Sequence, residues 1–74
     1  MRMEVLLRGS AINSLLDTIS LYGYQVSGSD GNYKLHLQTQ EGDLTIQPIE
    51  TLSPVERQAV ETLLSQKLSR TRTR

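Results

Sequence analysis

Between Tyr33 and Ile49 the chain reads YKLHLQTQEGDLTIQPI. Apolar and polar residues alternate, a glycine interrupts, and the alternation resumes. Successive side chains of a strand point to opposite faces, so this pattern predicts a hairpin with one apolar and one polar face. Tyr33, Leu35, Leu37, Leu44 and Ile46 then face a core, while Lys34, His36, Gln38, Thr45 and Gln47 face away from it. A loop at Glu41-Gly42 sets Leu37 opposite Ile46 and His36 opposite Gln47. Pro48, which has no N–H to donate, ends the ladder or marks an edge.

The flanking segments supply partners for that apolar face. Tyr24 to Gly28 reads as a strand with Tyr24 and Val26 inward. Asp30-Gly31 suits a two-residue type I′ loop, and that loop sets Val26 opposite Leu35 and Tyr24 opposite Leu37. Upstream, residues 3–8 (MEVLLR) predict a strand with Met3, Val5 and Leu7 on one face. Leu6 lies on the other face, which implies that this face is partly covered there. Gly9 breaks the strand and Ser10 suits a helix N-cap. A helix over residues 11–22 gathers Ala11, Ile12, Leu15, Leu16 and Ile19 on one stripe, with Gly23 as its left-handed cap. At about 100° per residue Leu21 points away from that stripe, toward solvent or a partner.

Ser53-Pro54-Val55-Glu56 opens the last element. Ser at the N-cap, Pro at the first helical position and Glu three residues after the cap form a capping box. The helix should run to Leu68 or Ser69. Val55, Ala59 and Leu63 make one apolar row and Val60, Leu64 and Leu68 a second, so two contacts are expected. The predicted architecture is α+β, in the order β-α-β-β-β-α: an antiparallel meander with both helices packed on one face, the first strand joining one edge of the meander. Residues 1–69 form a single domain and 70–74 a disordered basic tail. The helix, three-strand, helix order of residues 11–69 resembles that of double-stranded RNA-binding domains in topology. Those domains place phosphate-bridging lysines at the start of the second helix; here that place reads SPVERQAV, with Glu56 and only Arg57, so membership is not assigned.

A chain of 74 residues makes a small domain, and such domains bury only about 60% of the surface of the unfolded chain. The usual reinforcements are disulfides, a metal or oligomerisation. Cysteine is absent and His36 is the one histidine, so disulfides, thiolate sites and histidine clusters are excluded and no metal or cofactor is expected. Phe and Trp are absent too, which makes the core aliphatic and favours a second chain. Lys and Arg (8) balance Asp and Glu (8), giving no overall pull toward nucleic acid or membrane. No apolar run spans a membrane, residues 1–10 lack the apolar region of a signal peptide, and the cytoplasm is the expected compartment.

No nucleophile elbow, phosphate loop, dinucleotide fingerprint or HExxH motif occurs, so an enzyme is not expected. His36 has neither an acid nor a nucleophile among its foreseen neighbours Lys34, Gln38 and Gln47. The polar sheet face carries no outward aromatic on which a base could stack. The reading is a non-catalytic protein-interaction module (adaptor, regulator or inhibitor), a homodimer or a subunit of a larger assembly. Its contact residues are expected to be Leu21, Val60, Leu64 and Leu68. The alternative is a nucleic-acid-associated domain using Arg57, Lys67, Arg70, Arg72 and Arg74, against which the neutral net charge stands.

Overall fold

The structure, a computed structural model, describes residues 2–72, with the side chains of residues 30 and 70–72 set aside. In chain order the elements are β1 (Arg2–Leu7), α1 (Gly9–Leu16), β2 (Leu21–Ser27), a 3-10 turn (Asp30–Asn32), β3 (Lys34–Thr39), β4 (Gly42–Pro48) and α2 (Pro54–Arg72). The α+β class and the element order are those expected. The sheet, however, is not a simple meander. Its strand order is β1-β4-β3-β2, with β1 parallel to β4 and the other two pairings antiparallel. Parallel neighbours need a long crossover, and α1, β2 and β3 together provide it.

One apolar cluster holds the layers together. Ile12 and Leu16 of α1, Val60 and Leu64 of α2, and Leu35, Leu37, Leu44 and Ile46 of the central strands are all buried in it, joined by Leu21, Tyr33 and Leu52. The inward residues are those the alternation of β3 and β4 designates, so both helices cover the same sheet face. The β3–β4 register differs from expectation by two residues. Leu37 pairs with Leu44 and His36 with Thr45, because the turn lies at Gln40-Glu41 and Thr39 pairs with Gly42. Thr39 Oγ1 donates to the Gly42 carbonyl at 2.8 Å and accepts from the Glu41 N–H at 3.2 Å, which closes the turn one position earlier. A slip of two keeps every side chain on its face. The β2–β3 register is as expected, with Val26 opposite Leu35 and Tyr24 opposite Leu37. Its connection is instead the longer segment containing the 3-10 turn. The left-handed residue there is Gly28 (φ +84), where a Cβ would lie 2.0 Å from the Asn32 carbonyl oxygen.

α1 is shorter than its apolar stripe suggests. It begins at Gly9 with Arg8 rather than Ser10 as N-cap and ends at Leu16, where the Thr18 N–H and hydroxyl both donate to the Leu15 carbonyl, at 3.0 and 2.8 Å. That local bond competes with helix continuation. Residues 21 and 22 consequently belong to β2, and Gly23 is a strand residue rather than a helix cap. A bulge separates them: Leu21 pairs with Thr39 but Gly23 with Gln38. The extra residue, Tyr22, stands exposed, and Leu21 and Tyr24 both turn inward although three positions apart.

α2 begins as the capping box requires. The Ser53 N–H donates to Glu56 Oε1 at 2.8 Å, and the Glu56 N–H donates to Ser53 Oγ at 3.2 Å. The helix continues beyond Ser69 to Arg72; residues 73 and 74, and the side chains at 70–72, lie outside the described residues. Its two apolar rows are buried unequally. Val60 and Leu64 are in the core with Leu68 packed against it, and of the other row Leu63 packs there too, whereas Val55 is 78% exposed. No helix among the described residues is long and apolar enough to cross a membrane. The difference between the rows is measurable: Leu64→Ala should lower the urea unfolding free energy by about 2–5 kcal/mol, while Val55→Ala should stay within about 0.5 kcal/mol of the parent.

Candidate functional site

Three of the four residues expected to contact a partner are not at the surface. Leu21 is 0% exposed, Leu64 0% and Val60 2%. Leu21 was placed outward by a helical wheel, and it belongs to a strand. Val60 and Leu64 form the row of α2 that closes over the sheet. Leu68 is half-buried against the same cluster. Of the basic residues of the nucleic-acid alternative, Arg57 is half-buried with its guanidinium carbon 5.9 Å from the centre of the Tyr33 ring. Lys67 is half-buried as well. Arg74 and the side chains of Arg70 and Arg72 lie outside the described residues.

The polar sheet face is open. Across it runs a row composed of Glu4 of β1, Thr45 of β4, His36 of β3 and Gln25 of β2. His36 is held on both sides by hydroxyls: Nε2 lies 2.8 Å from Ser27 Oγ and Nδ1 3.3 Å from Thr45 Oγ1. A hydroxyl both donates and accepts, so either neutral tautomer satisfies both contacts. A serine against an imidazole is half of a nucleophile–base pair, but the ring's other contact is threonine, where an orienting carboxylate would be needed. β3 and β4 have neighbours on both sides, so their N–H groups lie within the sheet and do not point to its open face, where an oxyanion would sit. Two shallow grooves flank the row. One, of about 330 Å³, is lined by Arg2, Gln38 and Asp43 together with the row itself. The second, of about 340 Å³, lies between Leu6, Lys34 and Gln47. Among the described residues no group of three or more His, Asp or Glu side chains could hold a metal ion.

Tyr33 fastens α2 to the sheet. Its ring is buried under Arg57 and its hydroxyl donates to Glu61 Oε2 at 3.1 Å. Burial first, then the hydrogen bond and the charge of Glu61, push the phenol up to about 12, with Arg57 acting in the opposite sense. This cluster is structural in its geometry, since each member is engaged with another.

The feature that sequence reasoning assigned no role is the free edge of the sheet at β1. The Ile49 N–H donates to the Leu7 carbonyl at 2.9 Å. Leu7, and by alternation Val5 and Met3, thus turn their backbone groups toward β4, so Glu4 and Leu6 present theirs at the open edge. The Leu6 side chain is 64% exposed and Met3 47%. The sequence signal was present: Leu6 is the apolar residue on the polar face of β1, and the cover it implied is absent from a single chain.

Because the folded state holds the Tyr33 proton more tightly than the unfolded state does, its contribution to stability is complete below pH about 10 and is lost as pH rises toward about 12. Urea midpoints measured over that interval should fall more steeply for the parent than for Tyr33→Phe; equal slopes would contradict the tether. Compared with family models, curated proteins and solved structures, the chain matches none of them.

Proposed function

We propose that this chain is a non-catalytic protein-interaction module whose docking element is the free β1 edge. The observation that carries the reading is Leu6, 64% exposed on a strand whose outward backbone groups are open. An edge of this kind is a template for another strand, and proteins that do not use one blunt it with charged side chains, lysine above all, or with proline, a bulge or a covering element; of these β1 carries only the charges of Arg2 and Glu4. Residues 2–7 contain no lysine, proline or glycine, and the β1–β4 register runs without a shift from Arg2 to Leu7. The opposite edge, β2, carries the bulge at Tyr22.

A non-catalytic role is supported by the surroundings of His36, whose ring nitrogens face hydroxyls on an open sheet. The nucleic-acid alternative gains little from the geometry, because Arg57 is stacked over Tyr33. The same proposal keeps the cytoplasm as the working compartment expected from the sequence.

A photo-crosslinking residue placed at Leu6, in the cell that makes the protein, should give a discrete protein adduct. The same group at Gln58, exposed on α2, should give none. Absence of an adduct from position 6, or an equal yield from both positions, would overturn the reading.

A further inference from the structure

We propose that the occupant of the β1 edge is a second copy of this chain, paired antiparallel about a two-fold axis at Leu6. The inference rests on the reading of that edge as the docking element and goes on to name its partner and register. Two-fold pairing of identical strands is self-complementary by construction, and the side chains of β1 decide which residue lies on the axis.

Glu4, Leu6 and Arg8 share the polar face. Arg8 continues the extended backbone of β1 (φ −73, ψ 157) before α1 begins. With the axis at Glu4, the two glutamates oppose each other directly, which is destabilising. An axis at Val5 sets Arg2 opposite Arg8 of the second copy, again like against like, and leaves Glu4 facing Leu6. An axis at Met3 pairs Arg2 with Glu4 but leaves Leu6 in water. An axis at Leu6 resolves all three difficulties. Leu6 covers Leu6, and Glu4 of each copy faces Arg8 of the other, so opposite charges flank an apolar centre. On the inner face Val5 meets Leu7 of the second copy, both half-buried at the margin of the core.

The backbone agrees with this choice. Leu6 and Glu4 are the positions whose N–H and C=O groups point to the free edge, so Leu6 and its copy exchange two hydrogen bonds at the axis. Pairing joins two four-stranded sheets into one continuous sheet with every helix on the same side. It also supplies the reinforcement that a small, cysteine-free aliphatic core otherwise lacks.

The test is solution mass by light scattering over a dilution series of the full chain, alongside three variants with melting temperature as a control for folding. The parent should show twice the chain mass. Leu6→Lys places two like charges on the axis and should raise the dissociation constant by about tenfold or more, equivalent to 1.4 kcal/mol, without lowering the melting temperature measured under monomeric conditions. Glu4→Arg should weaken the dimer similarly, and the double variant Glu4→Arg/Arg8→Glu should restore it. A parent that is monomeric at millimolar concentration overturns the proposal. So does a dimer indifferent to Leu6→Lys, and failure of the double variant to recover overturns the register. A monomeric parent that still crosslinks from position 6 to a protein of another mass would refute self-pairing and leave the docking edge standing; loss of both would remove both readings.

Discussion

Two central strands and the helices laid across them carry this fold. Leu35 and Leu37 of β3 face Ile46 and Leu44 of β4, and onto those four side chains close Ile12, Leu16, Val60 and Leu64. Full burial of such a side chain is worth roughly 1.5–3 kcal/mol, and the chain has no cysteine with which to reinforce the set by a disulfide. Every other element is placed relative to that contact. α1 is as long as it must be to bring Ile12 and Leu16 over the sheet. α2 is aligned by the row that contains Val60 and Leu64 and is locked at its first turn by Ser53 and Glu56. Tyr33 adds a polar tether to Glu61 at the margin. The polar face of the sheet plays no part in this and is left to water and to the hydroxyl contacts around His36.

The two edges of the sheet are unlike. β2 opens with the bulge at Tyr22, which lets both Leu21 and Tyr24 face the core. That irregularity also disrupts the outer line of backbone groups. β1 pairs regularly with β4 along its whole length. Regularity makes it a good strand and leaves its free side equally regular. Leu6, on the polar face, adds an apolar contact beside it.

Local signals in the sequence were legible wherever the information was local. The alternation of β3 and β4 gave the correct face for residues 33–38 and 44–47, and the capping box placed the start of α2. The β3–β4 turn was misplaced because Thr39, a strand residue by pattern, also supplies the hydroxyl that closes the turn. The end of α1 was missed because Ile19, Tyr22 and the glycine after it satisfy a helical wheel and a cap, and only the competing bond from Thr18 to Leu15 shows otherwise. Leu21, Val60 and Leu64 were assigned to a partner for the same underlying reason: an apolar residue outside one expected contact can belong to another contact within the chain. The pairing of β1 with β4 is encoded by no local motif. It depends on which edge of the finished hairpins remains open, and the exposed edge residue Leu6 could be recognised only after that.

That pairing also sets an order of events. β1 precedes the other three strands in the chain, yet Arg2 lies beside Asp43 and Leu7 beside Pro48, so its ladder closes the longest stretch of chain in the sheet. Strands β2, β3 and β4 zip through short connections, whereas β1 must close a loop that encloses all of them, with the larger entropic penalty that such closure carries. Loop-closure entropy thus favours the β2–β3 and β3–β4 pairings over that of β1, and without β1 one flank of β4 is bare. Anything that reaches that flank before β1 does competes with β1 itself. The β1 strand of a second copy would meet the same partner residues along β4, from Asp43 to Pro48.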